Sequence, residues 1–158
     1  MTMRNARPVE ILMVEDNPGD VELSMDALHE GKLLNSIHIA RDGEQALDFL
    51  YKRGKFTQAP TPDIILLDLN MPRMTGIEVL SIIKEDDSIK HIPVVVLTSS
   101  EADRDILQSY RLHANCYLVK PVDMEKFLSV IQSFERFWLH LVALPAHEIN
   151  QEERLANG

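Results

Sequence analysis

The chain has a single cysteine, Cys116, in 158 residues. An intramolecular disulfide is therefore excluded, and the lone thiol suits a reducing cytoplasm. No run reaches the roughly 18 apolar residues of a membrane helix. Met1 to Pro8 carries Arg4 and Arg7, but no apolar core follows before Glu15, so no signal peptide is expected. Internal repeats and low-complexity segments are missing as well. So is any basic excess: the formal charge is −9 and the pI about 5.1. That balance argues against nonspecific nucleic-acid binding and against adhesion to anionic membranes.

What is present is an ordinary globular composition, with 45% apolar and 26% charged residues. The length fits one domain with a sizeable core. Apolar runs at Glu10–Val14, Ser36–Ala40, Asp63–Leu67, Val94–Leu97 and Cys116–Val119 predict five strands. Between them, helical spacing predicts helices over Val21–Glu30, Glu44–Tyr51, Ile77–Lys84 and Ala102–His113, and a last one from Asp123 to about Val142. Lys52–Pro62, with Gly54, Pro60 and Pro62, reads as a long surface loop. Five strand–helix alternations predict an α/β fold, a doubly wound five-stranded parallel sheet with helices on both faces.

The residues that end these strands carry the chemistry. Strand one runs into Glu15-Asp16, strand three into Asp68, strand four into Thr98-Ser99 and strand five into Lys120. In a parallel sheet these ends emerge on one rim, where ligands bind. Taken singly, Asp68 reads as a turn initiator, Thr98 as a cap and Lys120 as a solvated lysine. Their joint placement outweighs those readings. Three carboxylates together disfavour one another's ionised form unless a cation compensates. An oxygen-only set without His or Cys fits Mg²⁺, with Mn²⁺ as a substitute. An ammonium and a hydroxyl beside them suit an incoming phosphoryl group, and an Asp carboxylate can be its nucleophilic acceptor.

Val14-Glu15-Asp16-Asn17, Leu66-Leu67-Asp68-Leu69-Asn70-Met71-Pro72 with Gly76, Leu97-Thr98-Ser99 and Tyr117-Leu118-Val119-Lys120-Pro121 together resemble the receiver domains of two-component response regulators. The resemblance covers about Glu10 to Val142. It implies the flavodoxin-like receiver fold and a phosphoacceptor role for Asp68. It also implies that Asp16 binds Mg²⁺ directly, Glu15 through water and Asn70 through its backbone carbonyl. Thr98, Ser99 and Lys120 would hold the phosphoryl oxygens, and Thr98 with Tyr117 would form the conformational switch. The Lys120-Pro121 peptide is expected to be cis. Ser99 departs from the small Ala or Gly common at that position, which bears on access to Asp68. The 52–62 loop and Phe137–Pro145 resemble the small response regulators paired with phytochromes, which implies a phytochrome-type sensor histidine kinase as partner.

A receiver domain over residues 9–142 leaves 143–158 as a tail, too short for an output module. Output is then expected through protein contact, onward phosphotransfer or dimerisation. The last helix carries Phe127, Leu128, Val130, Ile131, Phe134, Phe137, Trp138, Leu139, Leu141 and Val142, more than one apolar stripe requires. That excess predicts a homodimer through the fourth helix, fifth strand and fifth helix. Two competing readings are weaker. An aspartate-nucleophile phosphatase or phosphotransferase would want an acid two residues past the nucleophile, where Asn70 stands. A flavodoxin-like cofactor binder would want a phosphate loop after strand one, where Glu15-Asp16 would repel the phosphate.

Overall fold

The computed structural model describes residues 8–30, 35–98, 116–120 and 122–132. Five strands, β1 (Val9–Val14), β2 (Asn35–Ala40), β3 (Ile64–Asp68), β4 (Val94–Thr98) and β5 (Cys116–Val119), form one sheet in the order β2-β1-β3-β4-β5. Every pairing is parallel. The described helices are α1 (Pro18–Glu30), α2 (Gly43–Leu50), α3 (Gly76–Glu85) and α4 (Met124–Gln132). The helix expected over 102–113, the end of the last helix beyond Gln132 and the 143–158 tail lie outside the described residues.

The central strands of the sheet are buried on both faces, as in parallel sheets generally, while the edge strand β2 is mostly half-buried. All residues of β3 and β4 are buried, and the Val94-Val95-Val96 run supplies the branched side chains that fit such a strand. Alternate residues feed two cores. Leu12, Ile65, Leu67 and Val96 pack with α2 and α3 on one face. Ile11, Met13, Leu66 and Leu97 pack with Leu28 and Phe127 on the other. Phe127 is thus a core residue, so part of the last helix's apolar surface covers this sheet.

Helix starts follow local chemistry. Asn17 accepts a hydrogen bond from the Asp20 amide at 3.0 Å, and Pro18 occupies the first helical position, where no N–H is needed. This is why α1 begins three residues before the apolar periodicity suggests. Asp42 accepts from the Gln45 amide at 2.8 Å, Thr75 from the Glu78 amide at 3.2 Å and Asp123 from the Lys126 amide at 2.8 Å. The 52–62 loop contains a short 3-10 turn at Gly54–Phe56. Phe56 closes it edge-on against Phe49, with ring centroids 5.5 Å apart.

Candidate functional site

The strand order reverses between β1 and β3: the chain steps from β1 outward to β2, then back past β1 to β3. Beyond the carboxyl ends at such a switch point the loops diverge and leave a crevice. Register sets what lines it. Val14 pairs with Leu67, so Glu15 leaves β1 level with Asp68 at the end of β3. Asp68 pairs with Leu97, and Thr98 with Val119, which puts Thr98 and Lys120 one step further along the rim.

Glu15, Asp16 and Asp68 come together there, with one carboxylate oxygen of each within 4.8 Å of the others. Glu15 and Asp68 are buried, and Asp16 is half-buried. The Lys120 ammonium stands among them, 2.7 Å from Glu15 Oε1 and 3.1 Å from Asp68 Oδ1. It is not the solvated lysine of an isolated reading, since its side chain is only 19% exposed. The Asn70 amide approaches Asp68 Oδ1 at 3.4 Å, while Asn70 as a whole is exposed. The Thr98 hydroxyl is buried and makes no hydrogen bond among the described residues.

Burial is the main reason the Glu15 carboxyl is pushed up to about 7. The Lys120 ammonium opposes that rise, the neighbouring Asp68 carboxylate adds to it, and the Asn17 amide draws it back. For Lys120, burial acts to lower the ammonium, but hydrogen bonds to Glu15, Asp20 and Asp68 outweigh it and hold it above the ordinary lysine range. The carboxylates are therefore crowded, and one cation of the protein's own already compensates them.

Asp20 was not legible as a site residue, because Asn17-Pro18-Gly19-Asp20 reads as a loop. It lies in the first turn of α1 and reaches Lys120 at 3.0 Å across 100 positions of sequence. Gly76, named in the motif around Asp68, also bears on the site. A β-carbon on it would fall 2.3 Å from the Asp68 carbonyl oxygen and 2.7 Å from Leu69 Cα. The first turn of α3 thus presses on the backbone that carries Asp68, and the Gly76 amide donates to the Leu69 carbonyl at 3.1 Å. Tyr117 is half-buried on β5 and packs against the α2–α3 side of the core. Ser99 and Pro121, and with Pro121 the isomer of the Lys120-Pro121 peptide, lie outside the described residues.

The donor set is consistent with a divalent cation that prefers oxygen. It has three convergent carboxylates, and no His or Cys belongs to it. A separate cavity of about 360 Å³ lies beside β2, lined by His38, Phe49, Lys55, Phe56 and Pro60 among others, and contains none of the rim residues.

Residues 11–132 match the response regulator receiver domain. The chain belongs to that family. The chain is 43% identical over 139 residues to the response regulator Rcp1 of Synechocystis sp., covering 88% of this chain and 95% of Rcp1. A solved structure of Rcp1 is its Mn²⁺-bound form, with a TM-score of 0.67. The bacteriophytochrome response regulator AtBRR is 44% identical, with a TM-score of 0.78 over 84% of this chain and 96% of its own. The phosphorylated cyanobacterial phytochrome response regulator RcpA is 40% identical, with a TM-score of 0.68 over 88% and 99%. The protein is thus a response regulator of two-component signalling, close to those of phytochromes, and the phosphatase reading is not favoured. Rcp1 holds Mn²⁺ in that structure, and three carboxylates of this chain converge closely enough to hold an ion. No helix among the described residues is long and apolar enough to cross a membrane.

Proposed function

We propose that this receiver accepts a phosphoryl group on Asp68 from a sensor histidine kinase of the phytochrome type. One observation carries the reading: the Asp68 carboxylate converges with those of Glu15 and Asp16, and the Lys120 ammonium touches both Asp68 and Glu15, at the switch point of a parallel sheet. A carboxylate oxygen of Asp68 attacks phosphorus and forms an O–P bond. The P–N bond to the donor histidine breaks, and the departing imidazole keeps the electron pair and takes up a proton. The Lys120 ammonium and the Thr98 hydroxyl then hold phosphoryl oxygens. Glu15, Asp16, Asp68 and the Asn70 carbonyl would hold Mg²⁺ or Mn²⁺. When bound, the cation neutralises charge on the transferring phosphoryl group.

The buried Thr98 hydroxyl, with no partner among the described residues, supports its part in this reading, since such a group costs stability and is kept where function uses it. Movement of Thr98 toward the phosphoryl group, with Tyr117 filling the space behind it, would carry the signal. The proposed scheme places the receiver in the cytoplasm over residues 9–142, with 143–158 as its tail. Output runs by homodimerisation through the 102–113 segment, where the sequence predicts a helix, together with β5 and the last helix, with Val119, 39% exposed on β5, as a described apolar residue of that face.

Incubation with Mg²⁺ and acetyl phosphate, followed by intact mass, tests the assignment. Wild type gains one phosphoryl mass and Asp68→Asn gains none. Equal labelling of the two would reject Asp68, and light scattering before and after labelling tests the dimer.

A further inference from the structure

The Lys120 ammonium has three N–H bonds, and three carboxylates receive them. Glu15 Oε1 lies at 2.7 Å, Asp20 Oδ2 at 3.0 Å and Asp68 Oδ1 at 3.1 Å. The three are unequal. The side chains of Glu15 and Asp68 are 2% exposed, whereas that of Asp20 is 39% exposed. Asp20 is nonetheless held in place, because its amide is tied to the Asn17 cap at the start of α1.

Phosphorylation turns the Asp68 carboxylate into an acyl phosphate, and the N–H it held passes to a phosphoryl oxygen. A second N–H for the phosphoryl oxygens has to come from Glu15 or Asp20. A carboxylate released inside the protein loses its partner with nothing to replace it, while one at the surface is taken over by water. Asp20 is therefore the acceptor that yields at least cost. We propose that Asp20 is a positioning residue for Lys120, an exposed counter-carboxylate that draws the ammonium away from the phosphoryl oxygens and competes with them for it. This inference rests on the reading of Asp68 as phosphoacceptor, and it adds a residue that reading does not require.

Two consequences share a sign. Asp20→Asn leaves the ammonium more available to the phosphoryl oxygens, and it removes a negative charge beside the path of an anionic phosphodonor. The acetyl phosphate concentration giving half-maximal labelling should fall, and the phosphoryl lifetime should lengthen. Each change should be about two- to fivefold, the size a half-exposed ion pair contributes. Asp20→Glu keeps the charge and should behave as wild type. High salt should narrow the difference between wild type and Asp20→Asn, because exposed charges are screened.

The test is a time course of intact mass with Mg²⁺ and acetyl phosphate, followed by decay after the donor is removed. It uses wild type, Asp20→Asn, Asp20→Ser, Asp20→Glu and Asp68→Asn, at low and high salt, with a thermal melt of each. Longer lifetime and lower half-saturation in the Asn and Ser variants, with wild-type behaviour in Asp20→Glu, support the proposal. Unchanged or shorter lifetimes in Asn and Ser overturn it while leaving Asp68 in its role. Failure of wild type to label, or labelling of Asp68→Asn, overturns the phosphoacceptor assignment itself and the role of Asp20 with it.

Discussion

Gly76 lies against Asp68 so closely that a β-carbon would sit 2.3 Å from the Asp68 carbonyl oxygen. Since that contact is with backbone, no side-chain rotation relieves it. The α3 N-terminus and the end of β3 act as one unit, and Thr75 caps the same turn.

Gly76→Ala should cost about 1–3 kcal/mol, the range for overpacking a tight site, and should slow labelling of Asp68 by displacing its backbone. Gly54 makes a control. It has φ +60 and open space around the missing β-carbon, so Gly54→Ala should cost only about 1 kcal/mol and leave labelling unchanged. Urea unfolding and intact mass read both.

The raised Glu15 carboxyl makes metal-free stability depend on pH. Burial first, and the Asp68 carboxylate as well, hold it at about 7 against the Lys120 and Asn17 hydrogen bonds, above the ordinary 4.5. Between those values the folded state binds more proton than the unfolded state, so stability falls as pH rises through that window and levels off above 7. Glu15→Gln should flatten the profile by a few kcal/mol at most. Chemical denaturation in chelator between pH 4.5 and 8.5 checks the sign, and a rise in stability over that window would reject it.

Mg²⁺ should act in the opposite sense. Protons and the cation compete for the same carboxylates, so stabilisation by Mg²⁺ should grow as pH rises through 7. At a concentration 100 times the dissociation constant it should reach about 2.7 kcal/mol. Asp16→Asn should abolish the Mg²⁺-dependent shift in melting temperature without unfolding the metal-free protein, because Asp16 is half-buried and its loss relieves crowding. A full Mg²⁺ response in Asp16→Asn would remove Asp16 from the metal set.

Thr98→Val keeps the side chain's shape and deletes a buried hydroxyl that has no partner among the described residues. Relief of an unmet hydrogen bond is worth about 1–3 kcal/mol, so the variant should be as stable as wild type or more so. Its phosphoryl lifetime should nevertheless change, and any phosphorylation-dependent dimerisation should be lost. Destabilisation by more than 1 kcal/mol would show that the hydroxyl has a structural partner instead.

Lys120→Met should destabilise the metal-free protein by about 3–5 kcal/mol, since it strands Glu15 and Asp68 as buried, unpaired acids. Mg²⁺ should recover part of that loss. A denaturation series with and without Mg²⁺ measures both effects.

Much of the fold and most of the rim were legible in the chain because they follow from short-range patterns. Val94–Leu97 is β-branched and apolar enough to be a buried strand in any context, and Asp123 marks where the last helix starts. Glu15, Asp68, Thr98 and Lys120 were visible because each directly ends a strand, and parallel strands end together. Boundaries moved where backbone chemistry outran apolar spacing, as at Pro18. The Glu10–His38 pair, 2.7 Å apart, had no local signal, since it depends on how β1 and β2 are set in register.

By itself, the sequence determined the alternation of strands and helices, the oxygen-only chemistry of the acidic set and the family to which the chain belongs. Periodicity, capping and strand-end residues are local properties, and local properties survive without coordinates. Only the tertiary structure decided that Lys120 is shared among three carboxylates, that Glu15 is buried enough to hold its proton near neutrality, and that α3 leaves no room for a side chain at Gly76. Those outcomes depend on contacts such as the 3.0 Å between Asp20 and Lys120, residues 100 positions apart in the chain. Burial and contact at that scale arise when the sheet closes, and no pattern along the chain encodes them.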